Sequence, residues 1–261
     1  MSTPYSVSFN GYLLQSANYR TQVIQHVTTP TRDIQIEPRS RADGGIVVNT
    51  RFTQRVIEID GQLTATDRNS LVTLIDQLKA ELNQVSGNLD IDYGNSVRRY
   101  FATVSAIDIQ EDYYSINFVP YKITFTCADP FGYPTSSGII NVNNINTLLY
   151  DLFVSVSGSI NSDPVVFLTM NSGTVGVNLI NFSNQNTGEL IVITKPGAAN
   201  FNVNDQLIIN CKSKQVMING SGLDYTGRFP TMNPTSADLR LAITGSSINY
   251  NLVVNYLPAF L

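Results

Sequence analysis

The apolar residues between positions 64 and 87 recur three or four positions apart, which is the spacing of one face of an α-helix. These residues are Leu71, Leu74, Ile75, Leu78 and Leu82. Thr64 and Asp67 are suited to a capping box at the start of the helix, and Gly87 is suited to the position that follows its end. The pattern therefore predicts one amphipathic helix over about residues 65–86.

Alternating apolar and polar residues predict β-strands on both sides of this helix. The predicted strands cover residues 55–63, 89–93, 98–109 and 113–127. In the last of them the apolar phase changes at Pro120, from the even positions 114–118 to the odd positions 121–127. A phase change of one residue indicates a β-bulge or a strand that passes from one sheet to another.

The second half of the chain is predicted to be almost entirely β. Short apolar stretches alternate with turn sequences rich in Asn, Gly and Pro, and no window has helical spacing. The predicted strands span residues 165–170, 177–182, 189–194, 206–211, 215–219, 239–243 and 250–257. Short strands at this spacing are typical of a β-sandwich or a jelly roll. The fold class expected for the whole chain is mainly β, with an α+β first half and an all-β second half.

Composition changes where the last strand of the first half ends, in the sequence CADPFGYP at residues 127–134. Residues 1–133 hold 11 Lys and Arg, 14 Asp and Glu and 8 Asn, whereas residues 134–261 hold 5, 6 and 19. We therefore expect two domains, 1–133 and 134–261. The residues assigned to the domain junction are Asp129, Pro130, Phe131, Gly132 and Pro134. The two prolines are expected to end the strand, because proline lacks a ladder donor, and Gly132 is expected to permit a sharp redirection of the chain.

Overall charge and apolar content exclude several classes of function. The net charge is −4, so clustered Lys and Arg, which a nucleic-acid-binding face requires, are not expected. No apolar run reaches the roughly 18 residues of a membrane helix, and the N-terminal sequence lacks the pattern of a signal peptide. A soluble protein made in a reducing cytoplasm is expected. Cys127 and Cys211 are predicted to be buried free thiols rather than a disulfide.

Candidate catalytic residues are few. His26 is the single histidine, and no motif of a nucleophile elbow, a phosphate loop, a zinc site or a dinucleotide site is present. Asp90 and Asp92 lie on one face of a predicted strand, where a solvated surface is favoured over a metal or sugar site. Glu111 and Asp112 are interpreted as surface charge. We therefore expect no enzyme activity, no cofactor and no metal.

Arg39 and Arg41 lie in a long polar segment with glycines, EPRSRADGG. Such a segment is either a disordered surface excursion or an arm that docks on a neighbouring subunit, and the sequence leaves both alternatives open. These two arginines mark a candidate inter-subunit loop.

Four weak motifs in a fixed order resemble the distal tail protein family of long-tailed bacteriophages with flexible tails. They are Asp129-Pro130-Phe131, the stretch 186–190 (NTGEL), Phe229-Pro230 and Tyr256-Leu257. The resemblance runs from about residue 8 to the C-terminus and is weakest over residues 20–50. It implies a structural virion protein that forms a six-subunit ring at the tail tip, with N-terminal domains in the ring and galectin-like C-terminal sandwiches projecting outward.

The same resemblance implies the partners. They are other copies of the chain, the tail tube protein, the tail hub or tip protein, receptor-binding components and the tape-measure protein, whose passage and that of the genome a central channel allows. No sequence-specific nucleic acid and no membrane is expected as a partner. Acidic residues suit such a channel, and Asp90, Asp92, Asp108, Glu111 and Asp112 are candidates to line it.

Two other classes of protein remain as alternatives. One is another phage tube or baseplate β-protein, which would lack a separable C-terminal sandwich. The other is a carbohydrate-binding module, in which Tyr133, Tyr150 or Tyr225 would replace the tryptophan that sugar sites often use and this chain lacks. We expect no strong glycan binding by residues 138–261.

Overall fold

Two separate hydrophobic cores divide the chain into two units. The computed structural model describes residues 6–25, 28–84, 86–94, 96–110 and 117–261. The first unit is 1–135 together with Leu261, and the second is 136–260. The boundary that the sequence predicts after residue 133 stays a prediction, which a fragment experiment below tests. His26, Glu111 and Asp112 lie outside the described residues.

An eight-stranded antiparallel sheet and one helix build the first unit. The strands follow the spatial order β2-β1-β7-β8-β9-β6-β3, β10 pairs with β8, and β4 and β5 form a separate two-stranded sheet. The bounds are β1 Val7–Phe9, β2 Tyr12–Leu13, β3 Tyr19–Gln25, β4 Arg32–Pro38, β5 Gly45–Phe52, β6 Arg55–Thr64, α1 Arg68–Leu82, β7 Gly87–Asp92, β8 Val97–Ile109, β9 Phe118–Cys127 and β10 Tyr133–Pro134.

The helix is confirmed, but both of its ends differ from the prediction. It buries Leu71, Ile75, Leu78 and Leu82, the face that the spacing predicts. Its N-cap is Asp67, whose Oδ1 accepts a hydrogen bond of 3.0 Å from the amide of Ser70. Thr64 is the last residue of β6 instead, and Gly87 is the first residue of β7. An aspartate one turn closer to the apolar stretch takes the capping position, because its side chain satisfies a free amide of the first turn.

The bulge expected at Pro120 is absent. Strand β9 pairs with β6 without interruption from Phe118, opposite Thr64, to Cys127, opposite Arg55. The shift in register lies on the neighbouring strand β8, between Val104 and Ala106. Phe118 is exposed on the face opposite the core, and the other two residues of that phase, Tyr114 and Ile116, lie outside the described residues.

The second unit is a β-sandwich, as predicted. One sheet has the order β11-β21-β13-β16-β17-β18 and the other the order β12-β20-β14-β15-β19. The bounds are β11 Gly138–Ile145, β12 Leu149–Val154, β13 Val165–Met170, β14 Leu179–Asn184, β15 Glu189–Thr194, a 3-10 turn Pro196–Ala198, β16 Gln206–Asn210, β17 Gln215–Ile218, β18 Ser221–Gly222, β19 Tyr225–Gly227, β20 Ala237–Thr244 and β21 Tyr250–Tyr256. Inward-facing residues of both sheets form one core, for example Leu168 and Val254 on one sheet and Phe182 and Leu241 on the other.

A buried carboxylate closes one end of this sandwich. Oε2 of Glu189 accepts hydrogen bonds from the amide of Thr231 (2.7 Å), the Thr231 hydroxyl (2.9 Å) and the Thr187 hydroxyl (3.1 Å). Oε1 lies 3.1 Å from Nε of Arg228, whose side chain is exposed. Burial opposes ionisation of Glu189, but the hydrogen bonds from Thr231 and Thr187 outweigh it and hold the pKa below its ordinary value. Glu189 thereby fastens the segment after β19 to the start of β15.

Both cysteines are free and buried, which confirms the prediction of free thiols. Burial raises the pKa of Cys127 to about 11 and that of Cys211 to about 12. No described helix has the length and the apolar composition that a membrane crossing requires.

We expect residues 136–261 to fold when they are expressed alone, because the core of the second unit draws only on its own strands. The amide spectrum of this fragment should then overlay that of the full chain. A fragment that starts at residue 146 is the control: it lacks β11, which pairs with β21, and should be less stable. An unfolded 136–261 fragment would contradict the proposed division.

We expect Glu189→Gln to destabilise the second unit at neutral pH by about 1–3 kcal/mol, because a buried charged acceptor is lost. Because the pKa of Glu189 is depressed in the folded state, its carboxylate stabilises the second unit above the unfolded-state pKa of about 4.3. This contribution is lost as the pH falls through the folded-state pKa. On going from pH 7 to pH 3, the second unit of Glu189→Gln should therefore lose less stability than that of wild type. The loss is measured by hydrogen exchange of the β14 and β15 amides. Asp224→Asn, at an exposed position, is the control, and equal acid profiles for wild type and Glu189→Gln would refute the prediction.

Candidate functional site, an exposed hairpin arm

Strands β4 and β5 form a hairpin, residues 32–52, that we call the arm. The pairs Ile34–Thr50 and Ile36–Val47 lie on one face of the ladder. Asp33–Arg51 and Gln35–Asn49 lie on the other, where Nη2 of Arg51 is 3.0 Å from Oδ2 of Asp33. The arm therefore has one face that is mainly aliphatic and one that is mainly polar, and the pair Glu37–Ile46 places one isoleucine on the polar face.

The aliphatic face of the arm is open to solvent in the single chain. Every residue of β4 is exposed, and so is every residue of β5 except Phe52. Ile34 is 51% exposed, Ile36 60% and Val47 55%. A two-stranded hairpin is at best marginally stable in water without another surface against it, and clustered exposed aliphatic residues mark interaction sites. The arm thus has the composition of a segment that another surface covers.

Arg39 and Arg41 lie at the tip of the arm, between β4 and β5. Both are exposed, and the tip is closed by a hydrogen bond of 3.3 Å from the amide of Arg39 to the carbonyl of Gly44. Gly44 has a φ of 88°, a conformation that glycine adopts without steric cost. The segment that holds these two arginines is the tip of a formed hairpin rather than a disordered excursion. The other alternative, docking of the arm on a neighbouring subunit, stays a prediction.

The root of the arm is held by a buried arginine that the sequence analysis did not select. Arg55 is 2% exposed, and its Nη2 donates to the carbonyl of Thr28 (2.8 Å) before β4. Its Nη1 donates to the carbonyl of Pro130 (3.1 Å) in the junction. The guanidinium also lies over the ring of Tyr100, 5.2 Å from its centroid. The alternation of β6 carries a signal for this: Arg55 has the same parity as the buried Ile57 and Ile59.

The junction residues form a tight turn against the same arginine. Oδ1 of Asp129 accepts from the amide of Phe131 (3.2 Å) and Oδ2 from the Tyr133 hydroxyl (2.8 Å), a local arrangement typical of Asp in turns. Strand β9 has already ended at Cys127. Pro134 does not end β9 but pairs with Arg98 in the short strand β10.

Gly132 has a different role from the one predicted. Its φ lies outside the left-handed region, so it does not supply an unusual backbone conformation. A Cβ at this position would lie 2.8 Å from the hydroxyl oxygen of Tyr100, which is closer than two such atoms approach. Glycine is needed here because the turn packs directly on the ring under Arg55.

The junction and the base of the arm are in contact. The rings of Phe131 and Phe52 meet edge to face with centroids 5.5 Å apart. Arg39 and Arg41 lie at the far end of the arm from this contact. The candidate site residues thus fall into two groups, the turn at the root and the arginines at the tip, which the arm joins.

On the eight-stranded sheet of the first unit, acidic side chains dominate one row of surface residues. Asp60 on β6, Lys122 on β9 and Asp108 on β8 are direct cross-strand neighbours. Nζ of Lys122 lies 2.9 Å from Oε2 of Glu58, and this contact, followed by the charges of Asp60 and Asp108, raises the pKa of the lysine. Three carboxylates surround one ammonium group, so the row is net negative.

The other candidate residues have local structural contacts. Asp90 forms a two-pronged ion pair with Arg99, at 2.7 and 2.8 Å, and Asp92 accepts from the amide of Gly94 in the turn after β7. Tyr225 donates to the carbonyl of Lys214 (3.0 Å) beside a cavity of about 580 Å³. Among the described residues no group of three or more His, Cys, Asp or Glu is placed to hold a metal.

Residues 157–256 match the family described as "Siphovirus-type tail component, C-terminal domain". A crystal structure of the Dit (gp 19.1) protein of phage SPP1, described as a paradigm of the hub adsorption apparatus in phages that infect Gram-positive bacteria, is 14% identical. The match covers 99% of this chain and 100% of that one with a TM-score of 0.68, so the two share a fold.

A chain of the phage p2 baseplate in its activated conformation is 12% identical over 95% of this chain and 97% of its own, with a TM-score of 0.45. That similarity is too low to carry a structural conclusion. No curated protein matches the sequence.

The matched residues lie in the sandwich, and they include two of the motifs that Glu189 joins, NTGEL and Phe229-Pro230. Residues 157–256 therefore match the siphovirus-type tail component family, and the whole chain shares the fold of the SPP1 Dit protein.

Proposed function

We propose that this chain is a structural adapter at the distal end of a phage tail and that copies of it close into a ring through the arm. The observation that carries the proposal is the aliphatic face of the arm, which a single chain leaves in water. The known similarity is to hub and baseplate proteins, which are structural components of the tail.

A second copy of the chain is the occupant that fits the aliphatic face best. A ring requires a heterologous contact, in which one surface of each copy meets a different surface of the next. The first unit carries such a second surface, since Leu13 on the short strand β2 at one end of the sheet is exposed, as are Phe101 and Phe118. An arm of one copy against the first unit of the next would bury apolar area on both sides. Arg39 and Arg41 at the tip would then contact the neighbour.

The remaining partners follow from the family resemblance. A ring of six copies would sit between the tail tube protein and the hub or tip protein, near receptor-binding components. Its channel would pass the tape-measure protein and the genome. The negative row of Asp60, Asp108 and Glu58 around Lys122 is compatible with such a channel, because like charge does not retain phosphate. In this proposal the protein works in the virion tail after synthesis in the host.

Two experimental outcomes would favour the alternative classes of protein, another tube or baseplate β-protein and a carbohydrate-binding module. A tube or baseplate β-protein would assemble into an extended stack rather than a closed ring. A carbohydrate-binding module would show saturable binding of full-length chain to a glycan array, which we do not expect.

The proposal predicts that the wild-type chain associates into a closed species whose mass is a multiple of 28.7 kDa. Ile36→Asp should weaken association on the order of 10- to 100-fold, because it charges the centre of the aliphatic face. Gln35→Asp is the matched control: it adds the same charge one residue away on the polar face and should leave assembly nearly unchanged. Both residues are exposed, so both variants should fold.

Mass photometry over a concentration series, with negative-stain images of the largest species, makes the measurement. Equal assembly of Ile36→Asp and wild type would show that the arm is not the interface. A wild type that remains monomeric at every concentration would remove the support for self-assembly.

A further inference from the structure

Three backbone segments meet at Arg55, and two of them are the ends of the arm. Thr28 precedes the arm and Arg55 itself follows it, while Pro130 belongs to the junction turn. Thr53 adds a second tie between the two ends, since its amide and hydroxyl both donate to the carbonyl of Thr31, at 2.8 and 3.1 Å. The exposed strands of the arm thus leave the body of the protein from a root that is hydrogen-bonded on both sides.

We propose that Arg55 is the positioning residue of the arm: its guanidinium clamps the two ends of the arm to the junction turn and so fixes the direction in which the arm is presented. A guanidinium has a planar fork of donors that stays charged at all relevant pH values. The two terminal nitrogens reach two different carbonyls, which no other side chain does in this geometry. This inference rests on the proposed docking of the arm, but the orientation of the root is a property of the single chain.

The junction turn completes the clamp from the other side. Tyr100 is fully buried under the guanidinium, and Gly132 allows the turn to approach its ring. Phe131 then packs on Phe52, the last residue of the arm. The carbonyl of Pro130 and the ring of Phe131 are therefore placed together against the root, and a change in this turn would be transmitted to the arm.

Alternative origins of the arm's orientation are weaker. Along β4 and β5 the side chains other than Phe52 are exposed, so apart from the contact of Phe52 with Phe131 at the root, packing within one chain does not hold the arm. The ion pair of Asp33 and Arg51 is also exposed and contributes little. The root is the place where buried hydrogen bonds restrain the arm.

Substitution of Arg55 in the full-length protein tests the proposal. In Arg55→Met the amide of Thr53 should exchange with solvent on the order of tenfold faster, as expected for the loss of a buried hydrogen-bonded clamp, whereas β6 and β9 amides keep their protection. Arg55→Lys keeps the positive charge but lacks the planar fork of donors, so its exchange rate at Thr53 should fall between those of wild type and Arg55→Met. Arg240→Met is the control, because it breaks a two-pronged contact with Asp151 in the other unit. It should change neither the exchange of Thr53 nor the protection of the β6 and β9 amides.

Exchange is measured at a concentration at which the chain is monomeric, so the result does not depend on ring formation. In assembly, Arg55→Met should raise the concentration for half-association on the order of tenfold, with the arm sequence intact. If wild type forms no ring, the proposed function fails while the exchange experiment still decides the role of Arg55. Unchanged exchange at Thr53 in Arg55→Met would overturn the proposal. Exchange that rises equally throughout the first unit in both Arg55 variants would also overturn it, because Arg55 would then contribute to the stability of the whole unit.

Discussion

Exposure of an aliphatic surface on a two-stranded hairpin to water costs free energy, and the structure of the first unit depends on this constraint. Ile34, Ile36 and Val47 are on one side of a ladder that has no third strand. In a larger sheet such a face packs on a helix or a second sheet, as Ile57 and Ile59 of β6 do in the same unit. The described residues of one chain leave this face of the arm exposed, and in the proposed ring a neighbouring copy covers it.

An arm that is completed by a neighbour is useful only if it points in a defined direction, and the root supplies this through polar rather than apolar contacts. A buried charge must be hydrogen-bonded, and the carbonyls of Thr28 and Pro130 accept two of the hydrogen bonds that Arg55 donates. Apolar packing alone tolerates small sliding movements, whereas a planar fork on two carbonyls does not. The junction sequence is therefore as much a part of the arm as of the boundary between the two units.

The sequence predicted several elements whose apolar pattern is satisfied inside one chain, but it missed β1, β3 and β12. The helix around Leu71–Leu82 and the alternating strands β6 and β15 were predicted, and errors there are confined to ends, such as the cap at Asp67 rather than Thr64. The arm was also missed as a pair of strands, and in the proposed ring its aliphatic face would be completed by a neighbour. Strand β11 was missed because Asn144, with a φ of 56°, lies at a shift in register that breaks the alternation. Arg55 was missed although its phase placed it inward, since an arginine is normally assigned to the surface.

Three of the four motifs that carry the family resemblance make hydrogen bonds that hold the fold together. Glu189 of NTGEL bonds Thr231, directly after Phe229-Pro230, so two motifs that are distant in sequence form one buried cluster. Asp129-Pro130-Phe131 is bonded to the root of the arm in the same way. The arm, which we propose as an interface, overlaps residues 20–50, where the resemblance is weakest. The family resemblance therefore rests on polar contacts and turns inside each unit, while the proposed contact between copies is inferred from exposed apolar residues.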